Sequence, residues 1–130
     1  MDPLHQLAQD TLDKNKQAIV FTASRASAEK TAEELSKLTT IQLIDLSQKV
    51  LKSISSPTKQ CRRLSNCIKK GMAFHHSGLT SQQKDLIEEE FKKGTIKIIC
   101  ATPTLAAGLS LPAFRVILKS LKRYSGRRGM

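Results

Sequence analysis

The chain has 130 residues, enough for one domain with a hydrophobic core and too few for two domains of ordinary size. Hydrophobic residues make up 39% and charged residues 25%, which excludes a disordered tail, and no apolar run reaches the ~18 residues of a membrane helix. The formal charge of +11 favours a polyanionic partner, although a solvated, lysine-rich surface would give the same total.

The first part of the chain predicts a helix, a strand and a second helix. Asp2-Pro3 opens the first helix, whose apolar face comprises Leu4, Leu7, Ala8 and Leu12. The run from Ala18 to Thr22 predicts a buried strand, and Ser24 is a candidate N-cap for a helix that ends near Leu38. Ser24 and Arg25 therefore lie at a strand-to-helix junction. A plain cap and a solvated arginine remain the alternative to a binding role.

The middle of the chain predicts two covering helices, a strand and a third long helix. Apolar spacing between Thr39 and Lys70 indicates the two covering helices, and Met72 to His76 predicts the strand. Thr80 and Gln83 form a T-x-x-Q capping box at the start of the next helix. His76 lies at a strand end, where it could reach a ligand, but a buried structural histidine is the alternative.

The last part of the chain predicts a strand, a tight turn and another strand. Ile96 to Ala101 is an apolar run typical of a strand buried on both faces, and Pro103 fits the first position of a helix. Thr102 and the backbone N–H groups of Thr104 and Leu105 would then face outward together, as in phosphate sites. A second apolar run, Phe114 to Leu118, predicts the fourth strand.

Four strands with helices between most of them predict a single α/β domain, a doubly wound parallel sheet with helices on both faces. Ligands of such sheets bind beyond the carboxyl ends of the strands. The segments Thr22 to Arg25, His75 to Gly78 and Thr102 to Gly108 all follow strand ends. We therefore expect three candidate sites to converge on one edge of the sheet.

The remaining sequence features indicate which kinds of site and partner to expect. Cys61, Cys67 and Cys100 form no C-x-x-C pair and predict free thiols. A zinc site from Cys61, Cys67, His75 and His76 would match no standard spacing, so we predict no metal. The chain has no Trp and one Tyr, which favours contact with a phosphate backbone over base stacking. Without a signal pattern at the N-terminus we expect a cytoplasmic protein that does not contact membranes.

Three stretches together resemble one family. They are VFTASRASAEKTAEEL, MAFHHSGLTSQQKDLIEEEFKKGTIKIICATPTLAAGLSLPAFRVI and LKRYS, and they extend from about Ala18 to Tyr124. They resemble the second RecA-like domain of Ski2-like superfamily 2 helicases, in the archaeal DNA-repair branch related to helicase Q. The resemblance implies a RecA-like fold and part of an ATP-dependent DNA helicase that moves 3′ to 5′ on forked or lagging-strand substrates in replication-fork repair.

The resemblance also implies roles for individual residues. Phe21 to Arg25 corresponds to motif IV, which would place Ser24 and Arg25 near the phosphates of the tracked strand. The element His75 to Leu79 corresponds to HHAGL in the family, with Ser77 in place of Ala, and His76 would contact nucleic acid there. Motif V would grip a nucleic-acid phosphate with Thr102, Pro103 and Thr104 and approach the ATP ribose with Gly108 and Ser110. Ser110 stands where Asn is usual and has a shorter reach.

Other helicase elements are missing from these 130 residues. There is no G-x-x-x-x-G-K-[ST] loop and no DExH box, both of which belong to the first RecA-like domain of such helicases. Gly126-Arg127-Arg128-Gly129 resembles motif VI but lacks its preceding Gln. We therefore expect residues 1–130 to be a second RecA-like domain cut before motif VI, monomeric and without catalytic residues of its own.

These expectations extend to cofactors and partners. The full-length enzyme would use ATP and Mg²⁺, whereas this part alone would bind neither. Its partners would be single-stranded or forked DNA and the first RecA-like domain of the same polypeptide. Two alternatives remain open at this point, a non-catalytic basic nucleic-acid-binding module and part of a Ski2-like RNA helicase. No residue pattern in the chain distinguishes DNA from RNA.

Overall fold

A computed structural model describes residues 3–52, 58–102 and 115–118 of the chain. The described helices and strands, in chain order, are α1 (Pro3–Asp13), β1 (Ala18–Phe21), α2 (Arg25–Ser36), α3 (Ile44–Lys52), α4 (Lys59–Lys69), β2 (Met72–His75), α5 (Ser81–Lys92), β3 (Ile98–Ala101) and β4 (Arg115–Leu118). Each of the four predicted strands is present; β1 and β2 are one residue and β3 is two residues shorter than predicted, and Phe114, the predicted start of the fourth strand, lies outside the described residues. The predicted turn and short helix after Pro103 lie outside the described residues.

The four strands form one parallel sheet in the order β2-β3-β1-β4. Ala101, the last residue of β3, is in register with His75 of β2 on one side and with Phe21 of β1 on the other. All four residues of β3 are buried, as expected for a central strand covered on both faces. The α/β doubly wound sheet predicted from the sequence is confirmed.

Helices cover both faces of the sheet. The chain passes from β1 beyond β3 to β2 and then returns to β3, so the two crossovers run in opposite directions across the sheet. Right-handed crossovers in opposite directions place their helices on opposite faces. Two consecutive histidines agree with this placement, because His75 contacts Glu88 of α5 whereas His76 contacts Glu29 of α2.

The helix ends follow local sequence signals. Ser24 caps α2 through its side chain, and Thr80 and Gln83 form the predicted capping box of α5. Gly71 (φ 84°) and Gly94 (φ 88°) follow α4 and α5 in the left-handed region, which glycine adopts without steric cost. These signals are local, and for this reason the sequence located the helices correctly.

The buried face of α1 differs from the prediction at one position. Leu4 and Ala8 are buried in the core, but Leu7 is 39% exposed, so its assignment to the buried face was wrong. Thr11 is buried instead. At 100° per residue, positions 4, 8 and 11 form a narrow stripe and position 7 lies at its margin. Within the described ranges, no helix has the length and apolar character needed to cross a membrane.

Candidate functional site

Three residues stand side by side where the central strands end. The N–H of Thr22 donates to the carbonyl of Ala101 at 2.8 Å, which continues the ladder between β1 and β3 by one residue. By the same register, Thr102 lies between Thr22 and His76. All three side chains are buried, and Thr102 is 9% exposed. The predicted convergence on the carboxyl edge is therefore observed for the described part of each segment.

Ser24 and Arg25 follow β1 on the solvent side of this row, where both are exposed. Ser24 has an extended backbone (φ −145°, ψ 164°), and its hydroxyl oxygen accepts a hydrogen bond from the N–H of Ser27 at 3.2 Å. This is the geometry of an N-cap. Ser24 thus has a structural role, and its contact with a phosphate remains a prediction.

Arg25 makes a contact across the end of the sheet. Its Nη2 donates to the Oγ of Ser77 at 2.6 Å, and both side chains are exposed. Arg25 follows β1 and Ser77 follows β2, whereas β3 and Thr102 lie between these strands. The hydrogen bond therefore bridges the end of the central strand. It joins two segments that the sequence analysis had related only through the fold.

His76 lies beneath this bridge. Only 1% of its side chain is exposed, and its ring stacks on Phe74 with centroids 5.6 Å apart and an interplanar angle of 8°. Its Nδ1 accepts the N–H of Gly78 at 3.0 Å, and its Nε2 lies 2.8 Å from Oε2 of Glu29. This is the environment of the structural histidine that the sequence left open as an alternative. The geometry gives no support to a direct contact between His76 and nucleic acid.

Glu29 is the centre of a polar network that the sequence analysis missed. Its carboxylate, 12% exposed, accepts hydrogen bonds from Nη1 of Arg63 at 2.7 Å and from Nε2 of Gln60 at 3.1 Å. Arg63 also donates to both carboxylate oxygens of Glu33 at 2.8 Å. These bonds hold the pKa of Glu33 below its ordinary value. The network ties α4 to α2 directly behind His76.

His75 has different surroundings on the other face of the sheet. Its Nε2 lies 2.8 Å from Oε2 of Glu88, which is 33% exposed. Its Nδ1 is the one buried side-chain nitrogen or oxygen atom in the described part of the chain that has no hydrogen-bond partner. Burial lowers the pKa of His75 and outweighs the opposing effect of Glu88.

The remaining predicted sites are the turn after β3, the C-terminal segment and the cysteines. Pro103, Thr104, Gly108 and Ser110 lie outside the described residues, as does the segment Gly126 to Gly129. All three cysteines are free and buried, and burial raises the pKa of Cys67 to about 12. In residues 3–52, 58–102 and 115–118, no group of three or more His, Cys, Asp or Glu side chains could hold a metal ion.

The predicted site residues that the structure describes fall into two groups. The structure brings Ser24 and Arg25 to the exposed rim, together with Ser77. It places Thr102 and His76 in a buried row behind that rim. Glu29, Gln60 and Arg63 had one weak signal in the sequence: polar residues recur one turn apart, at 29 and 33 on α2 and at 60 and 63 on α4.

Comparisons with known proteins agree on one family. The model of the helicase conserved C-terminal domain matches residues 1–121. The chain is 40% identical over 128 residues to the ATP-dependent DNA helicase Hel308 of Methanococcus vannielii. It is 43% identical over 125 residues to the Hel308 of Pyrococcus horikoshii and 37% identical over 136 residues to that of Methanocella arvoryzae.

The alignments cover most of this chain but only a small part of each relative. The three alignments cover 94%, 92% and 98% of this chain but only 17%, 17% and 18% of the relatives. The chain therefore spans about a sixth of the length of the relatives that it matches. The activity of those longer proteins therefore depends also on sequence that this chain does not contain.

Proposed function

Since the chain belongs to the family of helicase conserved C-terminal domains, we propose that it is the second RecA-like half of an ATP-dependent DNA helicase motor. In this role it contributes motifs IV and V to the binding of one DNA strand and of the nucleotide. The observation that carries the proposal is the hydrogen bond from Arg25 to Ser77 across the end of β3. It joins two motif segments at the edge where parallel α/β sheets bind ligands.

The exposed rim has the chemistry of a phosphate-binding surface. The Arg25 guanidinium can donate to a phosphate in addition to its bond with Ser77, because it carries five N–H donors. The helices α2 and α5 both begin at this edge, so the positive ends of their dipoles face the same side. The net charge of +11 adds long-range attraction for a polyanion. We expect contacts with the strand's backbone, which carry no base sequence information.

The nucleotide would be shared with another domain. The chain contains no phosphate-cradling loop, so the first RecA-like domain would hold the phosphates of ATP and the Mg²⁺ ion. Gly108 and Ser110 would approach the ribose from this side. Closure of the cleft around ATP would then shift the grip at Thr102 relative to the strand, and hydrolysis would reopen it. Movement 3′ to 5′ on forked DNA in replication-fork repair is the finer form of this proposal.

Strand binding can be tested with the 130-residue chain and a fluorescent single-stranded oligonucleotide. Arg25→Ala should weaken binding about threefold to tenfold and lower the salt slope by about one. Lys92→Ala is the matched control, because it removes an exposed charge near the end of α5, at the opposite edge of the sheet. Equal losses in both variants would mean that binding follows total charge and not this rim.

Motor function needs a second experiment. The isolated chain should show no ATP turnover, whereas joining it to a first RecA-like domain should give ATPase activity that DNA stimulates. Strand binding without any such activity in the joined protein would favour a non-catalytic basic module. Stimulation by RNA in preference to DNA of the same sequence would favour the RNA helicase alternative.

A further inference from the structure

Gly78 is required because the His76 ring lies against the backbone. A Cβ atom at position 78 would lie 2.9 Å from Cε1 and 3.1 Å from Nδ1 of His76, and 3.5 Å from Nη1 of Arg25. Among the described glycines only Gly71 and Gly94 have a positive φ, so conformation does not demand glycine at position 78. Glycine is needed at this position because a Cβ atom would overlap the imidazole of His76. The turn after β2 is built directly onto the imidazole.

The hydrogen bonds of His76 fix its tautomer. A backbone N–H can only donate, so Nδ1, which receives the N–H of Gly78, must be the unprotonated nitrogen. Nε2 then carries the proton and donates it to Glu29, and the Gln60 amide nitrogen, 3.3 Å from the same Nε2, donates to Glu29 as well. A proton on Nδ1 would replace an acceptor with a donor and would break the contact with Gly78.

Glu29 is itself held in place, and this fixes the ring. Arg63 and Gln60 of α4 donate to the same carboxylate, and Phe74 covers the face of the imidazole. The ring therefore has one orientation, set from the interior of the domain. On its outer side this orientation determines where the Ser77–Gly78 turn lies, and Ser77 receives the hydrogen bond of Arg25.

We infer that His76 is a positioning residue, which in its Nε2–H tautomer holds the Ser77–Gly78 turn and, through Ser77, the Arg25 guanidinium. It does not touch the strand. Its effect on strand binding rests on the proposed function, whereas its effect on the turn does not. The network of Glu29, Gln60 and Arg63 then orients the ring from behind the binding rim.

Two substitutions separate the two nitrogens of His76. His76→Asn retains an acceptor near the position of Nδ1 but loses the donor to Glu29. His76→Gln retains a donor near the position of Nε2 but loses the acceptor for Gly78. We expect His76→Asn to bind single-stranded DNA within about twofold of the original chain and His76→Gln to bind about threefold to tenfold more weakly, the range of one lost hydrogen bond.

Stability provides the control for this pair. Both variants lose packing on Phe74, and His76→Asn also leaves Glu29 without one donor, so it should have the lower urea midpoint of the two. Better binding by the less stable variant cannot arise from a merely structural role. Equal binding by the two variants, or binding that follows their stability, would overturn the inference. Addition of Arg25→Ala to His76→Gln should cause less further loss than Arg25→Ala alone, because both act through the same guanidinium.

A measurement on the unsubstituted chain keeps the two proposals distinguishable. Nitrogen-15 NMR should find Nδ1 of His76 unprotonated and hydrogen-bonded, and the Gly78 amide should exchange slowly for an exposed turn. A protonated Nδ1 or a rapidly exchanging Gly78 amide would overturn the positioning role whatever the DNA result. If the NMR result is as expected but the chain does not bind DNA, the proposed function fails and the positioning of the turn stands.

Discussion

His75 and His76 are neighbours in sequence and are equally buried, yet their environments are opposite. His76 faces α2, where Glu29 and the N–H of Gly78 occupy both of its nitrogens. His75 faces α5, where Glu88 occupies one nitrogen and the other is buried without a partner among the described residues. The period of two in a strand sends consecutive side chains to opposite faces, so one dipeptide samples both layers.

The two histidines differ in what their hydrogen bonds connect. On the α2 face, the bonds of His76 continue outward to the turn that contacts Arg25, and inward to a carboxylate that is almost completely buried. On the α5 face, the bond of His75 ends at a partly exposed carboxylate. The buried Nδ1 of His75 has no partner there among the described residues, which lowers stability. The same residue type therefore supports the candidate site on one face and fills space on the other.

The largest expected effect on stability comes from removing the carboxylate of Glu29, compared with removing that of Glu88. Glu29→Ala should lower the free energy of unfolding by about 3 kcal/mol, because three donors, the buried His76 and the partly exposed Gln60 and Arg63, lose a shared acceptor. Glu88→Ala is the matched variant on the other face and should cost less than about 1 kcal/mol, since its carboxylate is partly exposed. Urea denaturation of both variants measures the difference. Similar losses would show that the two faces do not differ in this way.

The next effect concerns the turn beside His76. Gly78→Ala should cost about 1–3 kcal/mol of stability, because its Cβ would overlap a ring that cannot move aside. In the His76→Ala background the ring is absent, and the same substitution should cost much less. A thermodynamic cycle from four urea curves tests this coupling. An unchanged cost in the two backgrounds would assign the requirement for glycine to something other than the imidazole.

The pH dependence should come from the α5 face. Burial lowers the pKa of His75, so the unfolded chain binds the proton more readily than the folded chain. The contribution to stability is complete above the unfolded pKa of about 6.5 and is lost as the pH falls towards the folded value, with a slope of at most about 1.4 kcal/mol per pH unit. The charged groups that act on the pKa of His75 besides its burial are Glu88, which raises it, and Lys84, which lowers it.

A substitution without a titrating ring isolates this slope. His75→Gln retains a donor for Glu88 and should flatten the stability profile between pH 5 and pH 6.5, measured by urea denaturation at several pH values. The same profile is measured for His5→Gln, which removes a partly exposed imidazole on α1, as a comparison. A profile that stays equally steep in His75→Gln would place the titrating group elsewhere.

The smallest effect is expected at the rim itself. Ser77→Ala removes only the hydroxyl that receives Arg25, and exposed hydrogen bonds contribute little to stability. We expect an unchanged urea midpoint and about twofold to threefold weaker binding of single-stranded DNA, measured by fluorescence anisotropy. Tighter binding would mean that Ser77 competes with the strand for Arg25 and does not hold it ready.

Local signals in the sequence predicted most of the fold. The capping box at Thr80, the N-cap at Ser24 and the short apolar runs of the strands each specify an element within a few residues of chain. The common edge of the strand ends followed from the rules of parallel sheets. Leu7 was assigned to the core wrongly because periodicity does not define the margin of a helical stripe.

The interior of the candidate site could not be read in the same way. Glu29 and His76 are 47 positions apart, and Glu29 and Arg63 are 34 apart. Pairing them requires the relative placement of α2, α4 and the end of β2, which depends on packing and not on any local pattern. The role of His76 was open for this reason: a strand-end histidine has the same sequence context whether it faces a ligand or a carboxylate.

The strand order also has a consequence for the synthesis of the chain. β3 lies between β1 and β2 in the sheet but follows both along the chain. While the ribosome extends the polypeptide, the apolar segments Ala18–Phe21 and Met72–His75 emerge before the strand that will separate and pair with them. They must stay unpaired, or shielded by chaperones, until Ile98–Ala101 leaves the exit tunnel. Only after that point in translation can β1 and β2 pair with β3, and β4 follows last.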